Sequence, residues 1–109
     1  MNDVLQQLAA TLAQRKQADP ESSYVASLHA LGLNKILEKI GEEATEVVLA
    51  AKDAQDSPNP EAVVGEVADL WFHSMVMLSH LDIEVDQVLQ CLAGRFGVSG
   101  IDEKAARET

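Results

Sequence analysis

Lys35-Ile-Leu-Glu-Lys39-Ile-Gly-Glu42-Glu43-Ala-Thr-Glu46-Val-Val-Leu-Ala-Ala-Lys52 is followed, after a Pro-rich break, by Glu66-Val-Ala-Asp69. The first stretch has the composition and periodicity of one long helix. At about 100° per residue, Lys35, Lys39, Glu42 and Glu46 fall within a sector roughly 60° wide, beside an apolar face of Ile36, Ile40, Ala44, Val47 and Ala51. Glu43 lies at the seam between the polar and apolar faces. In the second stretch Glu66 and Asp69 are three residues apart and share a helical face, with His73 one turn further on. That sector runs into Val63, Leu70, Met77 and Leu81, so these acids lie against the packing side.

The segment Asp56-Ser57-Pro58-Asn59-Pro60 is the strongest breaker in the chain. Asn59 is suited to cap a helix whose first position is Pro60. A long helix from about Asn34 to Gln55 and a second from Pro60 to about Leu81 are therefore expected to form an antiparallel hairpin. Glu43 and Glu46 then lie about as far before the turn as Glu66 and Asp69 lie after it, which brings the four acids to one height. Carboxylates brought together near an apolar face require positive charge. Lys35, Lys39 and Lys52 are too few for five carboxylates. An all-oxygen donor set suits a hard divalent cation, Mg²⁺ or Mn²⁺, better than zinc.

Working outward, residues 3–17 carry Val4, Leu5, Leu8, Ala9 and Leu12 at helical spacing, with Asp3 placed to cap the start. Asp19-Pro20-Glu21-Ser22-Ser23 ends that helix. Ser22 or Ser23 is suited to cap a short helix, Tyr24 to Ala30, which stops at Gly32. After His80-Leu-Asp82, residues Ile83 to Leu92 read as another amphipathic helix with Val85, Val88, Leu89 and Leu92 inward. Cys91 is expected to be a packed thiol. Gly41, inside the long helix, costs about 1 kcal/mol relative to Ala, and close approach of a helix or ligand, or simple close packing, would account for it. Ile101 to Arg107 has the character of a final short helix or a frayed end. The fold expected is all-α: a compact bundle of about five helices built on the long hairpin, in a single domain over residues 1–109, completed by dimerisation.

A chain of 109 residues gives a small core that is commonly reinforced by association. The net charge of −10 and the lack of a basic patch argue against a nucleic acid polymer as partner. A small phosphorylated ligand held by metal and a few lysines remains compatible with that charge. The lone cysteine cannot form an internal disulfide and fits a reducing compartment. No signal peptide or membrane-spanning run is evident, so a cytoplasmic location is expected. Neither Ser74 nor Cys91 has a convincing base beside it, and no glycine-rich phosphate loop is present. His73 could ligate metal, hydrogen-bond towards Asp69 or contact phosphate, or it could be a structural histidine. His29 and His80 belong to no matched cluster.

Glu43-Ala-Thr-Glu46 and Glu66-Val-Ala-Asp69 resemble the paired Glu-x-x-Glu and Glu-x-x-Asp motifs of the all-helical nucleoside triphosphate pyrophosphohydrolases. Ser23-Tyr24-Val25, Leu37 to Glu46, Glu66 to His73 and Arg95-Phe-Gly-Val-Ser-Gly-Ile-Asp-Glu-Lys104 further resemble one family in that group, the phosphoribosyl-ATP pyrophosphohydrolases, which act second in histidine biosynthesis. The resemblance implies hydrolysis of 1-(5-phosphoribosyl)-ATP to 1-(5-phosphoribosyl)-AMP and pyrophosphate. It implies Mg²⁺ held by Glu43, Glu46, Glu66 and Asp69, with Glu42 a further ligand or the group that activates water. Lys35, Lys39, Lys52 and His73 would meet the substrate, and Arg95 or Lys104 its second ribose phosphate. A homodimer burying the Pro60 helix is also implied. The alternatives are a housecleaning pyrophosphohydrolase for a noncanonical nucleotide, and a noncatalytic helical interaction protein.

Overall fold

The computed structural model describes residues 3–96, which form five helices and no strands. Helix α1 spans Val4–Arg15, α2 Tyr24–Leu31, α3 Leu33–Asp56, α4 Pro60–His80 and α5 Val85–Ala93. The all-α class and the long hairpin match the sequence reading: α3 has 24 residues and α4 has 21, joined by three. Asn59 caps α4 through its Oδ1, which accepts the Ala62 N–H at 3.2 Å, and Pro60 follows at the first helical position. Ser23 caps α2 in the same way, accepting from the Ala26 N–H. Asp3 occupies the cap position of α1, but its carboxylate accepts from the Gln7 side chain and makes no cap bond.

One residue separates α2 from α3. Gly32 has φ +99°, closes α2 with its N–H on the Leu28 carbonyl, and accepts from the Lys35 and Ile36 amides of α3. A side chain there would be strained, so the sharp bend depends on glycine. The start of α5 differs from the expected Ile83. Asp82 adopts φ +57°, and the Ile83 N–H bonds back to the Leu78 carbonyl at 2.9 Å. Ile83 therefore finishes α4 and cannot begin the next helix.

The core lies at one end of the hairpin. Leu12, Val25, Leu28, Ile36, Met75, Val76 and Val85 form one buried cluster drawn from all five helices. Each fully buried side chain of this size is worth roughly 1.5–3 kcal/mol. Beyond it the hairpin is a two-helix arm: after Glu43 in α3 and before His73 in α4 no side chain is buried. Several side chains expected to be packed, Val88, Leu92 and Cys91, are instead exposed, and Trp71 is exposed as well. Among the described residues no helix covers these side chains. A methyl group at Gly41 would likewise meet nothing beyond its own helical turn within 4 Å, so neither a packed helix nor a close contact among the described residues explains this glycine. Among the described residues no helix is long and apolar enough to cross a membrane.

The C-terminal turns of α2 and α4 are joined by two histidines. The Nδ1 atoms of His29 and His80 are 2.9 Å apart and the rings stack at 5.1 Å. One nitrogen must donate and the other accept, so the contact cannot survive protonation of both rings. Burial, then the His80 and Lys16 charges, hold His29 below the ordinary imidazole value of 6.5. Its contribution to stability is thus present above pH 6.5 and is lost as pH falls towards the lowered value, because the unfolded chain takes up the proton first. Denaturant unfolding at pH 7.5 and 5.5 (about one unit either side) should show a smaller acid-induced loss in His29→Phe than in the unsubstituted chain. An equal loss in both would contradict this role.

Candidate metal centre

The arm carries the acids. Glu43 is on the face of α3 that meets α4 and is only 7% exposed. Glu46 lies one turn further along α3 and Glu66 faces it from α4; oxygens of these three carboxylates all lie within 4.8 Å of one another. The equal heights expected from the hairpin are therefore realised for Glu43, Glu46 and Glu66. Asp69 is exposed and its side chain falls outside this group of three, yet its charge acts on both Glu43 and Glu66.

Among the described residues no donor meets the inner oxygens of the cluster. The Oε2 atoms of Glu43 and Glu66 are buried and lack any hydrogen-bond partner. Glu43 is pushed above the usual carboxylate range by burial, then by the charges of Glu46 and Asp69. Glu66 is pushed up by the neighbouring Glu46 carboxylate, then by burial and the other surrounding carboxylates. Raised pKa values mark carboxylates short of positive charge. Orphaned oxygens that converge from two helices fit a divalent cation with hard oxygen ligands. The acidic cluster can thus coordinate a divalent metal.

The lysines are distributed unequally around it. Lys39 Nζ lies 3.1 Å from Glu42 and 3.8 Å from Glu43. Its hydrogen bond to Glu42 raises the lysine and lowers the glutamate, so both are charged. Lys35 pairs instead with Glu38 at 3.4 Å, and Lys52 with the Gln55 side chain at 3.1 Å. Both contacts lie along α3 and leave the three acids untouched. Arg95 follows α5, where Nη2 is 3.9 Å from Cys91 Sγ. Lys104 lies outside the described residues.

His73 is buried and engaged at both ring nitrogens. Nδ1 is 2.8 Å from the Asp69 carbonyl, and Nε2 is 2.8 Å from the Tyr24 hydroxyl. The histidine thus ties the start of α2 to α4 beside the acids. The sequence reading offered a bond from His73 to Asp69 as one of several alternatives beside a structural histidine, and gave Tyr24 no role; the bond found is to the Asp69 backbone carbonyl. A lone tyrosine directly after a capping serine was the available signal; which helix it would meet was not legible.

The geometry is therefore that of an acidic, metal-competent cleft between two antiparallel helices, flanked by one ion-paired lysine. Its two halves are Glu43-Ala-Thr-Glu46 and Glu66-Val-Ala-Asp69. Comparison with known families agrees with that pattern. The profile described as Phosphoribosyl-ATP pyrophosphohydrolase matches residues 5–96, which take in α2 to α5 and all but the first residue of α1, and the chain belongs to that family.

Proposed function

We propose that Glu43, Glu46, Glu66 and Asp69 hold Mg²⁺, with Mn²⁺ as a substitute, for the reaction of this family. Membership assigns the chain hydrolysis of phosphoribosyl-ATP to phosphoribosyl-AMP and pyrophosphate in histidine biosynthesis. The observation that carries the site assignment is the pair of buried, partnerless oxygens on Glu43 and Glu66. A divalent cation bound there supplies Lewis-acid neutralisation of phosphate charge and lowers the pKa of water.

The protein's own groups account for the remaining steps. Lys39 moves its charge from Glu42 to a phosphate oxygen of the arriving substrate. Glu42, relieved of that hydrogen bond, regains basicity and orients the water that attacks the α-phosphorus. The water's proton passes to the carboxylate, the bond from the α-phosphorus to the bridging oxygen breaks, and pyrophosphate leaves. Lys35 and Lys52, further along the same helix, add positive potential around the phosphates. Arg95 and Lys104 are assigned to the second ribose phosphate, and His73 acts on the site by holding Tyr24. The domain works in the cytoplasm as one unit.

A second copy of the chain covers the arm. Val64 and Trp71 are 66% and 58% exposed and fall with Ala68 on the side of α4 opposite Glu66. Trp71 also borders an apolar groove with Leu5, Val88 and Leu92. A bare two-helix arm has little support of its own, and a homodimer through this face would supply it. Sedimentation velocity should give a dimer for the unsubstituted chain and a monomer for Val64→Glu. A monomeric unsubstituted chain at micromolar concentration would contradict the assembly.

Pyrophosphate release with Mg²⁺ tests the chemistry, using phosphoribosyl-ATP, ATP and dUTP. Phosphoribosyl-ATP should be strongly preferred. Glu46→Gln should abolish release, whereas Glu42→Gln should lower kcat by about 10²–10⁴-fold without weakening metal binding. Preference for ordinary or altered nucleotides would favour the housecleaning alternative. Full activity in Glu46→Gln would remove the carboxylate from the site.

A further inference from the structure

Tyr24 is the chain's single tyrosine and the first residue of α2. It is 51% exposed, yet its hydroxyl is anchored 2.8 Å from Nε2 of buried His73. The direction of that bond follows from the other side of the imidazole. Nδ1 faces the Asp69 carbonyl, which can only accept, so Nδ1 carries the proton and neutral Nε2 accepts from the Tyr24 O–H. The far end of the phenol ring is thereby fixed to α4, the helix that carries Glu66. A near-parallel Phe72 ring, 6.5 Å away, and the edge of His73 support it further.

The ring is tied to the acidic segment of α4 through His73, whose Nδ1 is 2.8 Å from the carbonyl of Asp69, one turn from Glu66. Of the other exposed aromatic residues among those described, Trp71 lines the apolar groove with Leu5 and Val88, and Phe96 follows α5. Tyr24 is thus the exposed ring on the side of the cleft. An aromatic face held at its far end offers stacking area with little further loss of conformational freedom.

We infer that Tyr24 is the platform on which the purine of a bound nucleotide stacks, one ribose away from phosphates held at the carboxylates. This rests on the phosphate end of the substrate lying at Glu43, Glu46 and Glu66. Tyr24 then determines specificity at the nucleoside end, and His73 is the positioning residue behind it.

Selective ¹³C labelling of tyrosine yields one set of ring signals from the full chain. With Mg²⁺ present, adenosine 5′-monophosphate should shift those signals upfield and give cross-relaxation between the Tyr24 ring and purine H2 or H8; ribose 5-phosphate should do neither. Tyr24→Leu should bind the mononucleotide roughly ten-fold or more weakly with ribose 5-phosphate binding unchanged, while Tyr24→Phe keeps the affinity within about three-fold. Absence of mononucleotide binding, a saturating titration without a ring shift, or equal loss of both ligands in Tyr24→Leu would overturn the platform. Pyrophosphate release separates this from the hydrolase reading. Release without a ring shift overturns the platform alone, and a ring shift without release supports the platform while removing the hydrolase.

Discussion

Two carboxylate oxygens, Oε2 of Glu43 and Oε2 of Glu66, are buried between α3 and α4 with nothing to donate to them. Leaving such groups unpartnered is costly, and Glu46 and Asp69 add repulsion. A core built for stability alone would place aliphatic side chains there. The hairpin instead holds like charges together at the point where its packed end gives way to the exposed arm. Lys39 relieves part of the strain, but it is already shared with Glu42 and sits at the edge of the group. The remaining demand for positive charge is the chemical basis of metal binding.

The rest of the architecture serves to hold that pair of helices in register. The three-residue turn, the Asn59 cap and Pro60 fix where α4 begins, and therefore which turn of α4 stands opposite Glu43. Gly32 turns α2 back onto α3 in a single residue. That places Tyr24 near the cleft, where His73 secures it to α4. The one-ended core anchors α1, α2 and α5 around Ile36, Met75 and Val76 and leaves the acids on a part of the hairpin that substrate can reach.

The hairpin was legible because its signals are local: a breaker rich in proline, a capping residue at the right offset, and acids at helical spacing on both sides. The convergence of Glu43, Glu46 and Glu66 followed from those signals. Asp69 shows the limit of height alone, since it stays outside the group of three carboxylates whose oxygens lie within 4.8 Å of one another. Ile83 was misread because apolar spacing cannot reveal an amide recruited to close the preceding helix. Val88 and Leu92 were placed inward because periodicity marks an apolar face without stating whether this chain or another covers it. The Tyr24–His73 bond joins residues 49 positions apart, a distance over which pattern carries no information.

Diffraction from crystals grown with Mn²⁺ tests the central claim most directly. An anomalous peak between α3 and α4, roughly 2.0–2.3 Å from oxygens of Glu43, Glu46 and Glu66, is the expected result. No peak there, at Mn²⁺ concentrations that support pyrophosphate release, would contradict a metal centre built on the orphaned carboxylates.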